Sequence, residues 1–240
     1  MQRQLFMKSE AVEQPTFHQR GKEISRIESF SDAVFGFSLT LLVISLNPIA
    51  TFTQLRNVVD GLLSFGVEFS QIVAIWLIQY RFFRRYNLQD RLTIALNMLL
   101  LFVVLFYVYP LRFMFSVIAL PSTDTTGAIQ ESQVPQLFII YGIGFATVFL
   151  LFALMHLHAY SQHDALQLDE LETYDTQSSI LRNLTLAGIG VLSILFAWGN
   201  IGLSFGLPGW VYLGIAPVQW IAGGLRRKER RQIQDRLASA

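Results

Sequence analysis

Apolar residues in this chain come in runs of about twenty, separated by short polar stretches. At about 1.5 Å of rise per residue, a run of that length carries a helix across the hydrocarbon core of a bilayer. Six such segments are predicted: 28–46, stopped by Asn47-Pro48; 60–83, ending in Arg84-Arg85; 92–115, with Pro110 as a kink near its outer end; 137–158; 180–199; and 208–225, the shortest and richest in glycine. Pro121 to Pro135, with Ser-Thr-Asp-Thr-Thr-Gly inside it, reads as a loop. The acidic stretch 162–179 lies between spans and reads as a helical extension of the fourth. The predicted fold class is all-α, a polytopic membrane protein with six transmembrane helices per subunit. Its parts are a leader over 1–27, a six-helix membrane domain over 28–225 and a basic tail over 226–240.

Composition agrees with a lipid environment. Hydrophobic residues make up 52% of the chain and charged residues 15%, against roughly 25% charged in soluble domains, and the mean hydropathy is +0.44. Charge adds orientation. In the six-span arrangement, sixteen of the 18 Lys and Arg residues fall on one side, leaving only Arg56 and Arg112 on the other. By the positive-inside rule both termini are then cytoplasmic. No apolar run precedes the first span, so no cleaved signal peptide is expected. The tail Arg226-Arg227-Lys228-Glu229-Arg230-Arg231 suits anionic lipid headgroups, and no nucleic-acid role is expected. Cysteine is absent, which excludes disulfides and thiolate metal sites.

The first span differs from the others. It carries Ser31, Asp32, Ser38, Thr40 and Ser45, plus Gly36, which permits close backbone approach, whereas spans three to six are nearly continuous apolar runs. Polar groups inside a membrane usually face a bundle interior or a water-filled path. At 100° per residue, Phe37, Thr40 and Ile44 fall on one stripe, flanked by Ala33 and Leu41. Two readings follow. A ring of such helices would line an axis with apolar layers around a layer of hydroxyls; alternatively, Thr40 bonds its own i−4 carbonyl and the stripe is ordinary packing. Glu68, inside the second span, is either a cation attractor or pH-sensitive group, or else a structural partner for Arg112 or another buried donor, or a protonated carboxyl. His156, His158 and His163 follow the fourth span, with His156 and His163 on one helical face. Without cysteine or a carboxylate on that face, no metal site is expected. No nucleophile or cofactor motif points to an enzyme.

The sequence Arg26-x-x-x-Phe30-Ser31-Asp32, followed by an apolar run containing Thr40-Leu41-Leu42, resembles the first-helix signature of the transmembrane protein 175 family of potassium channels, in its single-repeat prokaryotic form. Trp76, before a polar cluster in the second span, and the stretch Asn97 to Pro110 resemble the family's second and third helices. The resemblance implies a homotetramer in a bacterial inner membrane, with the first helix of each subunit lining the pore. It implies an apolar constriction at Phe37 and Ile44, a selectivity layer at Thr40 and pore-flanking Ala33 and Leu41. Arg26, Phe30, Ser31 and Asp32 would lock the inner helix ends, with Trp76 and Asn97 as supporting contacts. Potassium would be the permeant ion, monovalent cations and membrane lipids the partners, and no cofactor is implied. No Thr-Val-Gly-Tyr-Gly filter sequence occurs. Two positions depart from the family pattern: Phe37 replaces the usual Ile or Leu, and Gln79-Tyr80 stands where relatives tend to hold histidines. Weakly coordinating hydroxyls predict a leak-like, moderately selective channel. The alternative is a small proton-coupled secondary transporter in which Asp32 and Glu68 relay protons, although no internal repeat or pair of broken helices is present.

Overall fold

The computed structural model describes residues 17–21, 23–44, 51–119, 130–203 and 206–239. The end of the first predicted span, with Ser45 and Asn47-Pro48, and most of the 121–135 loop lie outside the described residues. Every long element is a helix: α1 (Arg26–Ile44), α2 (Phe52–Asp60), α3 (Leu62–Tyr86), α4 (Arg91–Ala119), α5 (Val134–Ser161), α6 (His163–Leu166), α7 (Glu170–Trp198), α8 (Leu207–Trp210) and α9 (Ile215–Ser239). Among the described residues, α1, α3, α4 up to Phe115, α5 and α7 are long and apolar enough to cross a membrane.

Local chemistry sets the ends. Asn87 closes α3 in the left-handed conformation at φ 50°, its N–H reaching Phe83 O, a position asparagine tolerates well. Asp90 then caps α4, accepting from Leu92 N at 3.0 Å and Thr93 N at 3.3 Å, while His158 Nε2 lies 2.9 Å from its carboxylate. Burial pushes the Asp90 carboxyl up, but the bonds from Thr93 and His158 outweigh that and hold it at about 2. Asp169 caps α7 through Glu172 N at 2.6 Å, and Glu170 and Glu172 in the first turn suit the positive end of the helix dipole.

Three boundaries differ from the hydrophobic pattern. Helix α2 is too short and too polar to register as a span, and Gly61 separates it from α3. The acidic stretch is not an extension of the fourth span: Gln167, left-handed at φ 49°, ends the short α6, and α7 starts at Glu170, ten residues before the predicted 180. The predicted sixth span, 208–225, is made of α8, a 3-10 turn over Val211–Gly214 and the first part of α9. Together with the tail residues that follow it, this segment runs back along α7. Ser193 Oγ donates to Pro208 O at 2.8 Å near one end of α7. Toward the other end, Arg230 pairs with Asp175 at 3.1 Å and Tyr174 Oη donates to Glu229 at 2.6 Å. Ser193 and Asp175 are about 27 Å apart along the helix. Arg20 of the leader binds Glu172 at 2.6 Å, so described leader and tail residues meet at the same end of α7.

Helix α5 is the centre of the bundle, burying Tyr141, Phe145, Phe149 and Phe152, and its most extensive packing is against α7. Small residues make that approach close, as is usual where lipid supplies no hydrophobic drive between helices. A Cβ placed on Gly190 would meet Ala146 Cβ at 3.0 Å, N at 3.1 Å and Cα at 3.2 Å. The backbone of α5 would therefore have to retreat. Gly190→Ala is expected to cost ~1–3 kcal/mol as overpacking, read as a lower unfolding temperature in detergent; an unchanged temperature would contradict this account of the seam.

A candidate pore-lining helix and its anchoring network

Helix α1 has two faces of different fate. Glu28, Ser31, Phe35, Ser38 and Leu42 recur at intervals of three and four and are buried, the spacing of one helical stripe. They lie on the side packed against α3 and α4. Ser31 Oγ donates to Ile27 O at 2.7 Å and accepts from Asn97 Nδ2 on α4 at 3.0 Å. Asn97 Oδ1 in turn accepts from Gln79 Nε2 on α3 at 3.2 Å. Ser31, Asn97 and Gln79 are each within 1% of full burial, so each partner matters to the others: an orphaned polar group costs ~1–3 kcal/mol. A second tie runs from Trp76 Nε1 to Asp32 Oδ1 at 2.7 Å. At the start of the helix, the Glu28 carboxylate accepts from Ser25 N at 3.0 Å and Ser25 Oγ at 2.9 Å.

The structure thus joins Ser31 and Asn97 in one hydrogen-bonded chain, to which it adds Gln79, and ties Asp32 to Trp76 in a second contact, between α1 and α3. Arg26 and Phe30 stand apart from both. Both are exposed, Phe30 at 53%, and Arg26 has no ion pair among the described residues.

The opposite stripe of α1 is bare in the single chain. Ala33 and Thr40 are exposed, Phe37 is 55% and Ile44 67% exposed, and Leu41 beside them is half-buried. Thr40 Oγ1 donates its proton to Gly36 O at 2.9 Å. The packing alternative therefore divides: its i−4 hydrogen bond is present, while among the described residues the stripe stays largely uncovered. With the proton committed, the oxygen's free lone pairs turn outward. Among the described residues Gly36 serves no close approach inside the subunit, since beyond its own helix backbone none of their atoms lies within 4 Å of its Cβ position.

Glu68 is fully buried, and Arg112 Nη1 donates to both its oxygens at 3.1 Å. That is the pairing expected of a structural partner, and it leaves the carboxylate off the bare stripe of α1. Beside it Gln71 Nε2 donates to Tyr107 Oη at 3.0 Å and to Tyr141 Oη at 3.1 Å, a cluster that apolar run length did not signal. The three histidines go to different partners. His156 Nδ1 lies 2.8 Å from Phe152 O, His158 faces Asp90, and His163 Nδ1 lies 3.1 Å from Tyr160 O. His163 opens α6 after α5 has ended at Ser161, so it does not share a helical face with His156.

These features define a helical membrane protein whose first helix is fastened on one side by buried polar bonds and free on the other. The endosomal/lysosomal potassium channel TMEM175 family model matches residues 26–107, from the start of α1 into α4. A potassium channel from Marivirga tractuosa is 37% identical over 236 residues, 92% of this chain and 95% of that one. A second potassium channel, from Chamaesiphon minutus, is 33% identical over 96 residues, 37% of this chain and 47% of that one. Among solved structures, a variant of the potassium channel MtTMEM175 in complex with a nanobody-MBP fusion superposes with a TM-score of 0.76 at 36% identity, over 89% of this chain and 98% of that one. A lysosomal potassium-selective channel TMEM175 homolog from Chamaesiphon minutus shares the fold at a TM-score of 0.52 and 21% identity, over 79% and 96% of the two chains. The chain belongs to the TMEM175 family.

Proposed function

We propose that this protein is a potassium-permeable cation channel, leak-like and moderately selective, in which α1 of four identical subunits lines a central pore. The observation that carries the reading is the bare stripe on α1. Phe37, Thr40 and Ile44 are exposed in a helix whose other face is held by the buried bond that Ser31 accepts from Asn97 and by the exposed bond that Asp32 accepts from Trp76. Phe37 and Ile44 alone would suit lipid as well, but the exposed Thr40 hydroxyl between them and the exposed Gly36 favour a partner subunit or water along the stripe. Four copies around an axis give a ring of Phe37, a ring of Thr40 oxygens and a ring of Ile44, with Ala33 and Leu41 at the flanks. Apolar rings gate by dewetting, while hydroxyl oxygens replace part of a cation's hydration shell without holding it. The basic residues at the leader and tail end would face the cytoplasm, with the protein in a bacterial inner membrane.

Against the transporter reading, Glu68 is paired with Arg112 and Asp32 is bonded to Trp76. The test is a potassium flux assay on purified protein in liposomes. Thr40→Ala should move the biionic reversal potential toward equal permeability for potassium and sodium. An unmoved reversal potential rejects the Thr40 layer, and flux that saturates and requires a coupled ion rejects the channel itself.

A further inference from the structure

A groove of about 950 Å³ lies between α3, α5, α7 and α9, away from the bare face of α1. Its chemistry is divided along its length. At the leader and tail end it is lined by Arg85, Arg182, Arg226, Arg227 and Arg230, with Asp175 as the acidic residue among them. Asp175 is taken by Arg230 at 3.1 Å. Arg182 has no hydrogen bond or carboxylate partner among the described residues, although it is half-buried, and Arg85 and Arg226 are like charges acting on it. Beyond this cluster the walls turn apolar, with Ile78, Phe145, Phe149, Leu186 and Ile215. Leu186 is one helical turn past Arg182 on α7, so the change from cationic to greasy takes place within ~6 Å.

We propose that this groove holds an anionic phospholipid from the leaflet at the leader and tail end, with its phosphate on Arg182, Arg85 and Arg226 and an acyl chain along Phe149, Phe145 and Leu186. Three arguments select that occupant. Uncompensated cationic charge calls for an anion, and basic pockets between membrane helices suit acidic headgroups. The apolar walls lead from the cationic mouth toward the bilayer interior, which a free anion would not use. Along α3 the groove extends from Arg85 to Val67, about 27 Å of helix, longer than the ~15 Å depth of one leaflet's hydrocarbon. The volume also matches the ~300–1,000 Å³ typical of ligand sites.

The test uses the full-length protein purified in detergent, incubated with equal amounts of dioleoyl phosphatidylglycerol and dioleoyl phosphatidylcholine, and the retained lipid measured by mass spectrometry. Phosphatidylglycerol should be retained in preference, and Arg182→Gln should lower its retention about fivefold, the effect of one cation near an anionic headgroup. Arg182→Lys should keep most of it. Gly223 lines the same groove, and a Cβ there meets only Arg227 Nη2 at 4.0 Å. Gly223→Phe should therefore send a ring into open space and displace the lipid while the protein elutes as before. Equal retention of both lipids overturns the proposal. So does retention that Gly223→Phe leaves intact, which would move the lipid to the outer surface of the tail, or complete displacement by inorganic phosphate, which would make the site one for a free anion.

Discussion

Replacing Phe37 by asparagine is expected to raise potassium flux through the reconstituted protein roughly tenfold. In the proposed assembly four phenyl rings meet at one level of the axis, and the barrier they impose is the cost of wetting an apolar constriction. Burying one such ring is worth ~1.5–3 kcal/mol, and a barrier lowered by ~1.4 kcal/mol is a tenfold gain. The position is favourable for the test because Phe37 is 55% exposed within the subunit. Its removal leaves the subunit's core unchanged, so expression and elution should be normal. Flux that stays at the wild-type level would move the constriction elsewhere on α1.

Replacing Arg112 by methionine acts on stability instead. Glu68 has no exposed side-chain surface, and its two oxygens take their bonds from Arg112. Removing one partner of a buried pair typically costs ~3–5 kcal/mol, because an uncompensated charge stays behind. Arg112→Met should accordingly lower the unfolding temperature in detergent sharply, and the double variant Arg112→Met with Glu68→Gln should recover much of the loss. Recovery is the informative half of that cycle. Additive losses would show that the two residues support the fold through separate contacts.

The parts of the fold legible in the sequence were those that depend on run length and on local chemistry. Five of the predicted spans correspond to long apolar helices, because a lipid-crossing helix must be apolar over most of its length. The polar start of α7 was hidden by its Asp and Glu residues, although Asp169 three residues before Glu172 is itself a capping signal. The sixth segment was harder because its apolar part is divided between two short turns and the start of α9. At the site, period alone put Phe37, Thr40 and Ile44 on one stripe, and the helix leaves that stripe uncovered. The link from Ser31 through Asn97 to Gln79 could not be read in that way, since three helices must pack before those side chains meet. The groove is less legible still: Arg85, Arg182 and Arg226 come from three distant segments that only the tertiary fold brings together.

The hydroxyl of Thr40 carries a consequence for the sign of charge. Its proton is spent on the carbonyl of Gly36, inside its own helix. Toward the axis of the proposed pore it can therefore accept but has nothing to donate. In that pore a potassium ion would meet a collar of oxygens, whereas chloride would meet only lone pairs that repel it. Discrimination against anions then needs no carboxylate in the membrane, only a threonine four residues after a glycine on a helix that leaves that face open.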